Sequence, residues 1–309
     1  MAVVDTPRHV PVLLGETLRL LDPQPGRVVV DCTIGDAGHA AALAERVGPD
    51  GTVVGFDVDP GALAFAARRL QGTPAHFVAI RDNFVRVPLH MARLGLRADT
   101  LLADLGFNSR QMADPGRGLS FASDGPLDMR FDPDGPATAR HLLATLGQHE
   151  LADLIQRYGE EPLARTIAQN VVRARAGEPI ETTAQLVAIV VKTYGSRAHS
   201  SRMHPATRTF MALRIAVNEE LTALSALLEH IALAADRVVD GGWLTDGARI
   251  AIISFHSLED RLVKRAFVEL ERRGIAERLT RRPITAGDEE VASNPRSRSA
   301  KLRAIRLRS

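Results

Sequence analysis

The sequence predicts an α/β protein, a doubly wound parallel sheet interrupted by an inserted all-helical domain. Three observations carry this. Residues 27–104 alternate short β-branched runs with Ala- and Leu-rich stretches, residues 137–194 show helical spacing only, and a further apolar strand returns at 249–255. A chain of 309 residues, 45% of them hydrophobic, is long enough for one large domain carrying an insert.

The elements follow in order. Strands are expected over 27–31, 52–57, 76–80 and 99–104, with helices over 37–47, 60–70 and 84–94 between them. Four apolar strands joined by helical crossovers imply a parallel sheet covered on both faces. From 106 to 136 the chain is rich in Gly, Pro, Asp and Ser and reads as a long ordered loop, a length that is uncommon unless functional. Helices are expected over 139–146, 150–158, 162–176 and 183–194. Phe210, Leu213, Val217, Leu221, Leu224, Leu228 and Ile231 then step by three or four, so one helix more than six turns long is expected from about Thr207 to the break at Asp240-Gly241-Gly242. After the strand at 249–255, Ser257-Leu258-Glu259-Asp260 fits a capping box for a helix reaching about Arg273. Two last strands are expected at 278–284 and 301–307, around a polar and mobile segment at 286–300. The resulting expectation is a sheet domain in two parts, 1–111 and 217–309, with the helical insert at 112–216.

Composition narrows the function. No apolar run approaches the roughly 20 residues that span a bilayer, and the first residues do not read as a signal segment, so a cytoplasmic protein with no membrane partner is expected. A single cysteine, Cys32, excludes an internal disulfide and a Cys-rich zinc site, and ten scattered histidines show no metal-ligand spacing. The net charge of +2 hides an asymmetry. Residues 261–309 hold fourteen basic and six acidic side chains, net +8, whereas residues 1–260 hold twenty-five and thirty-one, net −6. Such a basic end suits a polyanion. With ten Phe, two Tyr and one Trp, an extended aromatic platform for single-stranded RNA is not expected, so recognition would lean on arginine.

The first strand runs into Asp31-Cys32-Thr33-Ile34-Gly35-Asp36-Ala37-Gly38-His39, a Gly-containing turn at a helix N-terminus that suits a phosphate or carboxylate. The dinucleotide fingerprint is absent, because Ala37 stands two after Gly35. Asp57 ends the second strand, nineteen residues past Gly38, where a carboxylate can accept from ribose hydroxyls. Asp104 ends the fourth strand beside the expected switch in strand order, with Asn108, Ser109 and Gln111 close behind it.

The Gly38-His39 turn, Asp104-Leu105-Gly106, Arg117-Gly118-Leu119-Ser120-Phe121, Asp124 to Arg130, Tyr158-Gly159-Glu160-Glu161, His204 to Phe210, Ser254 to Arg261 and Asn294 to Ser299, with His9 to Leu13, together resemble the RsmH (MraW) family. The resemblance runs from residue 9 to about 306 and is most specific in DGPLDMR, HPATRTF and SFHSLEDR. It implies a class I (Rossmann-like) fold and an S-adenosylmethionine-dependent enzyme that methylates N4 of a cytidine in the decoding region of 16S rRNA, within the small subunit, the insert recognising substrate. Carried over, the cofactor contacts are Ala37, Gly38, His39, Asp57, Phe84, Asp104 and Gln111. Two departures stand out. The turn has Ala37 where the family has glycine, which a backbone contact tolerates only if φ there is negative, and Asn108 and Arg110 replace serine and proline.

N4 methylation needs an acceptor for the amine hydrogens and no covalent adduct, so Asp104 or Asn108 is the expected catalytic group and Cys32 is expected to serve packing. Asp128, His204, Arg208, His256, Arg296 and Arg298 are the expected substrate contacts, with Lys301 beside them. Each His could instead fix a loop, and Arg208 could pair with Asp128. Two other readings stay open: an amino-methyltransferase acting on DNA or another RNA, and a non-catalytic assembly factor that retains the cofactor pocket.

Overall fold

The computed structural model describes residues 11–200, 203–237 and 241–308. His9, Val10 and Asp240, named above, lie outside the described residues. Contacts divide the chain into two compact units, 1–106 with 221–309, and 107–220.

In the first unit, α1 (Leu14–Leu21) leads to β1 (Val28–Asp31), α2 (Gly38–Val47), β2 (Thr52–Asp57), α3 (Pro60–Leu70), β3 (His76–Arg81), α4 (Val87–Leu94) and β4 (Ala98–Asp104). Among the described residues seven strands form one sheet in the order β3-β2-β1-β4-β5-β7-β6, where β5 is Leu244–Ser254, β6 Ala276–Arg278 and β7 Lys301–Leu307. The first five strands are parallel, and β7 runs antiparallel to both neighbours. Strand order reverses between β1 and β4, so the carboxyl ends of these strands bound the crevice where open α/β sheets bind ligands. One face of the sheet is covered by Val87 and Met91 of α4, Leu224 and Ile231 of the later helix α12, and Val263 and Phe267 of α13. The other is covered by Leu21 of α1, Leu43 and Val47 of α2, and Leu63 and Ala66 of α3. Cys32 is buried in the first of these layers, a packing residue.

In the second unit the loop after β4 holds α5 (Ser109–Ala113) and a short 3₁₀ turn before α6 (Ala139–Thr145), α7 (Gln148–Gly159), α8 (Ala164–Arg175), α9 (Thr183–Tyr194), α10 (Arg197–Ser200) and α11 (Ala206–Val217). Its core joins Leu143, Ile155, Ile167, Val190, Phe210 and Leu213.

Four expectations are corrected. The single long helix is two, α11 and α12 (Glu220–Ala235), because Glu219 takes a left-handed φ of 50° and the Asn218 amide donates to the carbonyls of Arg214 and Met129. The strand expected at 278–284 is β6, ending at Arg278, followed by one bridge between Ile284 and Leu302. The polar segment at 286–300 is ordered as α14 (Asp288–Ser293) and a 3₁₀ turn at Pro295–Ser299, whose Ser297 is fully buried. The cap of α13 (Ser257–Arg272) is His256, one residue earlier than expected. Helix α1 was not foreseen, since its eight residues show no long period.

Candidate active site

Three strands of the first unit end in a carboxylate: β1 in Asp31, β2 in Asp57 and β4 in Asp104. Burial pushes Asp31 up to about 7, against a hydrogen bond from the Thr33 amide and with the negative charge of Asp57 adding. Burial likewise raises Asp104 to about 7; Asp31 adds to the rise, Arg296 opposes it and Glu259 contributes further. Asp57 reaches about 6, raised by burial and restrained by the amides of Asp59 and Gly35 at 2.9 and 3.0 Å. Oδ1 of Asp104 is buried and has no hydrogen-bond partner among the described residues.

The turn between β1 and α2 is built by a few fixed contacts. Gly35 has φ 47°, and its N–H donates to Asp57, so the two strand ends are tied. A Cβ on Gly38 would lie 2.4 Å from Cγ of Pro11, hence glycine there. Ala37 is fully buried and has φ 54°, which corrects the expectation of a negative φ: the alanine itself takes the left-handed conformation that glycine favours, so the turn keeps a glycine-like backbone path. No side chain caps α2, whose first N–H groups therefore face the turn. Buried His39 places Nε2 at 3.7 Å from Asp104.

S-adenosylmethionine carries two cationic centres, a carboxylate, a ribose diol and an adenine, and this set of donors and acceptors fits it. The carboxylates at the ends of β1 and β4, one with an unpartnered buried oxygen, match its cations. Asp57 ends β2 with a carboxylate that can accept from the diol, the uncapped α2 matches the cofactor's carboxylate, and partly buried Phe84 offers an apolar wall.

The remaining expected residues divide. Asn108 caps α5: its Oδ1 accepts the Gln111 amide at 2.9 Å, while Gln111 Oε1 accepts the Asn108 amide at 3.0 Å. Both belong to the second unit. In that unit Asp128 is chelated by Arg130, at 2.9 and 2.7 Å. Burial works against its ionisation, but Arg130 outweighs it and holds the carboxyl below its usual range. The pairing of Asp128 with Arg208 is thereby corrected; Arg208 donates to the Glu160 carbonyl at 2.9 Å because α11 packs on the end of α7, where a Cβ on Gly159 would strike the Arg208 carbonyl. His204 stacks on Phe121 at 4.8 Å and accepts the Ala206 amide, fixing its loop. His256 likewise accepts the Glu259 amide as the cap of α13. Arg296 faces Asp104 electrostatically, and Lys301 is 3.6 Å from Asp260, so neither is simply presented to solvent. Arg298 is exposed.

Asp31, Thr33 and Glu259 were missed. The same signal that marked Asp57 and Asp104, an Asp closing an apolar strand, was present at Asp31. Thr33 had none: its Oγ1 accepts the Asp104 amide across two strands. Buried Glu259 accepts the amides of Phe255 and His256.

The family model described as the MraW methylase family matches residues 6–308. The chain belongs to the MraW methylase family. As a member it is a class I methyltransferase whose methyl donor is S-adenosylmethionine. Ribosomal RNA small subunit methyltransferase H of Acidobacterium capsulatum is 46% identical over 305 residues, covering 96% of this chain and 97% of that one. The protein of the same name from Sorangium cellulosum is 47% identical over 300 residues, covering 97% and 90%. Among solved structures, an rRNA methylase from Streptococcus thermophilus aligns over 100% of both chains with a TM-score of 0.41 at 14% identity. No helix of this MraW-family chain among the described residues is long and apolar enough to cross a membrane.

Proposed function

We propose that the chain is an rRNA methyltransferase, and that it methylates N4 of a cytidine in the decoding region of 16S rRNA within the small ribosomal subunit. The observation that carries the reading is Asp104: a buried carboxylate at the switch point of the sheet, with one unpartnered oxygen and a pKa near 7.

The exocyclic amine of cytosine is a weak nucleophile because its lone pair is delocalised into the ring. When bound, S-adenosylmethionine supplies an electrophilic methyl group on a sulfonium. Asp104 is the group whose unpartnered oxygen accepts an N4 hydrogen, keeps electron density on nitrogen and takes up the departing proton. Asn108 is the weaker choice, since its Oδ1 already serves as a cap. Asp31 and Asp104 hold the cationic part of the cofactor, Asp57 the ribose, and the Ala37-Gly38-His39 backbone its carboxylate. Phe84 and Gln111 complete the cofactor set. In the insert, Asp128, His204 and Arg208 act on the RNA through the loops they brace, and His256 through the start of α13.

The test is transfer of labelled methyl to small subunits lacking the modification, followed by mass mapping of the nucleotide. Label on N4 of one decoding-region cytidine, reduced at least a hundredfold by Asp104→Asn, is expected. Label at C5, on DNA, or nowhere overturns the reading.

A further inference from the structure

Fourteen basic side chains follow Asp260 in sequence, and the structure sorts them into two groups. Many are consumed internally: Glu271 holds Arg278, Glu277 holds Arg306 and Arg308, and Asp260 holds Lys301 and Arg303. Lys264, Arg265, Arg282 and Arg298 are exposed and have no carboxylate partner among the described residues.

These four come from segments that meet at one edge of the sheet. Helix α13 starts directly after the carboxyl end of β5, and Lys264 and Arg265 stand about two turns into it on the solvent side. Asp260, in the first turn of α13, binds the start of β7 through Lys301 and Arg303, and the 3₁₀ turn carrying Arg298 runs straight into that start. The bridge between Ile284 and Leu302 brings the segment of Arg282 to the same place. Because β7 is antiparallel to β5, Lys301 lies opposite Ser254, at the edge where Asp31, Asp57 and Asp104 stand.

Four exposed like charges with no counter-charge repel one another, and the fold gains nothing from gathering them; a polyanion laid across them removes the repulsion. We propose that Lys264, Arg265, Arg282 and Arg298 form a phosphate-binding track that holds the RNA backbone flanking the methylated nucleotide. This rests on the rRNA reading above. Arg296 and Lys301 are left out of the track, since Arg296 is only partly exposed and Lys301 lies 3.6 Å from Asp260.

The experiment is binding of small ribosomal subunits to the full chain over a salt series, for wild type and for the variant carrying Lys264→Gln, Arg265→Gln, Arg282→Gln and Arg298→Gln. The slope of log affinity against log salt should fall by about 3, at roughly 0.7–0.9 per phosphate contact, and KM for subunits should rise at least about tenfold. Affinity for S-adenosylmethionine, read by titration calorimetry, should not change. A control replacing Arg46 and Arg93, exposed arginines in the last turns of α2 and α4, should keep the wild-type slope. Wild-type binding with an unchanged slope in the fourfold variant overturns the track alone. Absence of salt-dependent binding by wild type overturns both the track and the rRNA reading.

Discussion

The hydroxyl oxygen of Thr33 accepts the backbone N–H of Asp104 at 2.7 Å, linking the turn after β1 to the end of β4. Thr33 is itself held by its own N–H, which donates to Asp31 at 3.1 Å, so one threonine connects the two carboxylates that flank the switch point. Replacing Thr33 by Val keeps the shape but leaves a partly buried amide unpaired, a cost of about 1–3 kcal/mol. Thr33→Val is expected to lose that much stability in urea melts and to lower kcat more than it changes KM for the cofactor. Thr33→Ser should restore both. Equal defects in the Ser and Val variants would show that the hydroxyl is irrelevant.

Asp31 and Asp104 sit near 7 when folded, above the ordinary carboxylate value of 3.8. A group with a raised folded pKa holds its proton more tightly in the native state, so its contribution is complete below the unfolded value and is lost as pH rises through the folded one. In the absence of cofactor, stability should therefore fall between about pH 4 and pH 8 on account of this pair. Asp104→Asn should flatten that decline and be more stable than wild type at pH 8. Cofactor affinity should rise through pH 7 with release of protons, read as a buffer-dependent heat in calorimetry. Affinity independent of pH between 6 and 8 would contradict the assignment.

Ala37 holds a left-handed φ with its methyl buried. Glycine removes the steric cost of about 1–2 kcal/mol but gives up the packed methyl and adds chain entropy, so Ala37→Gly should leave stability within about 1 kcal/mol and preserve cofactor binding. A β-branched side chain meets the backbone penalty and a filled core together. Ala37→Val should lose more than about 2 kcal/mol in chemical denaturation.

Arg214 is fork-bonded to Glu220 at 2.8 and 3.0 Å, and its guanidinium lies 5.1 Å from the ring centre of Phe107. Phe107 and Glu220 are the first and last residues of the helical unit, so one arginine holds both of its ends. Both charged side chains are largely buried, so removing one partner leaves an uncompensated charge and costs more than breaking a surface ion pair. A double-mutant cycle of Arg214→Leu with Glu220→Gln should give a coupling above about 1 kcal/mol. Arg214→Lys, which keeps charge but not the fork, should recover less than half of it.

The parts of the fold that local chemistry decides were legible in the sequence. Helix α9 was read to the residue because Thr182 and Gln185 form a capping box before a clear apolar period, and β2 because Thr52 to Asp57 is an apolar strand closed by an acid. The long helix was misread because the apolar steps stay in phase across Asn218 and Glu219; the break is held by the Met129 carbonyl, 89 residues away in the chain. Helix α14 is held by a similar distant contact, Glu290 accepting the Leu13 amide, which no local pattern announces. For the site, strand-end carboxylates were visible and their mutual influence was not. Counting charge groups Arg296 with the RNA contacts; that its charge also opposes the rise of the Asp104 pKa is a relation only the fold reveals.

Strand β4 finds its partner β5 only after the helical unit, Ala98 lying beside Leu244 and Asp104 beside Ile253. A ribosome adding roughly 5–20 residues per second therefore takes about 7–30 s to deliver β5 after β4 has emerged. For that interval, while the helical unit is being made, the β5-side backbone edge of β4 has no strand beside it, and the apolar side chains Leu101 and Ala103 lack part of their cover. Nascent chains halted before residue 244 should thus be sticky at one strand, and those released after 307 should not.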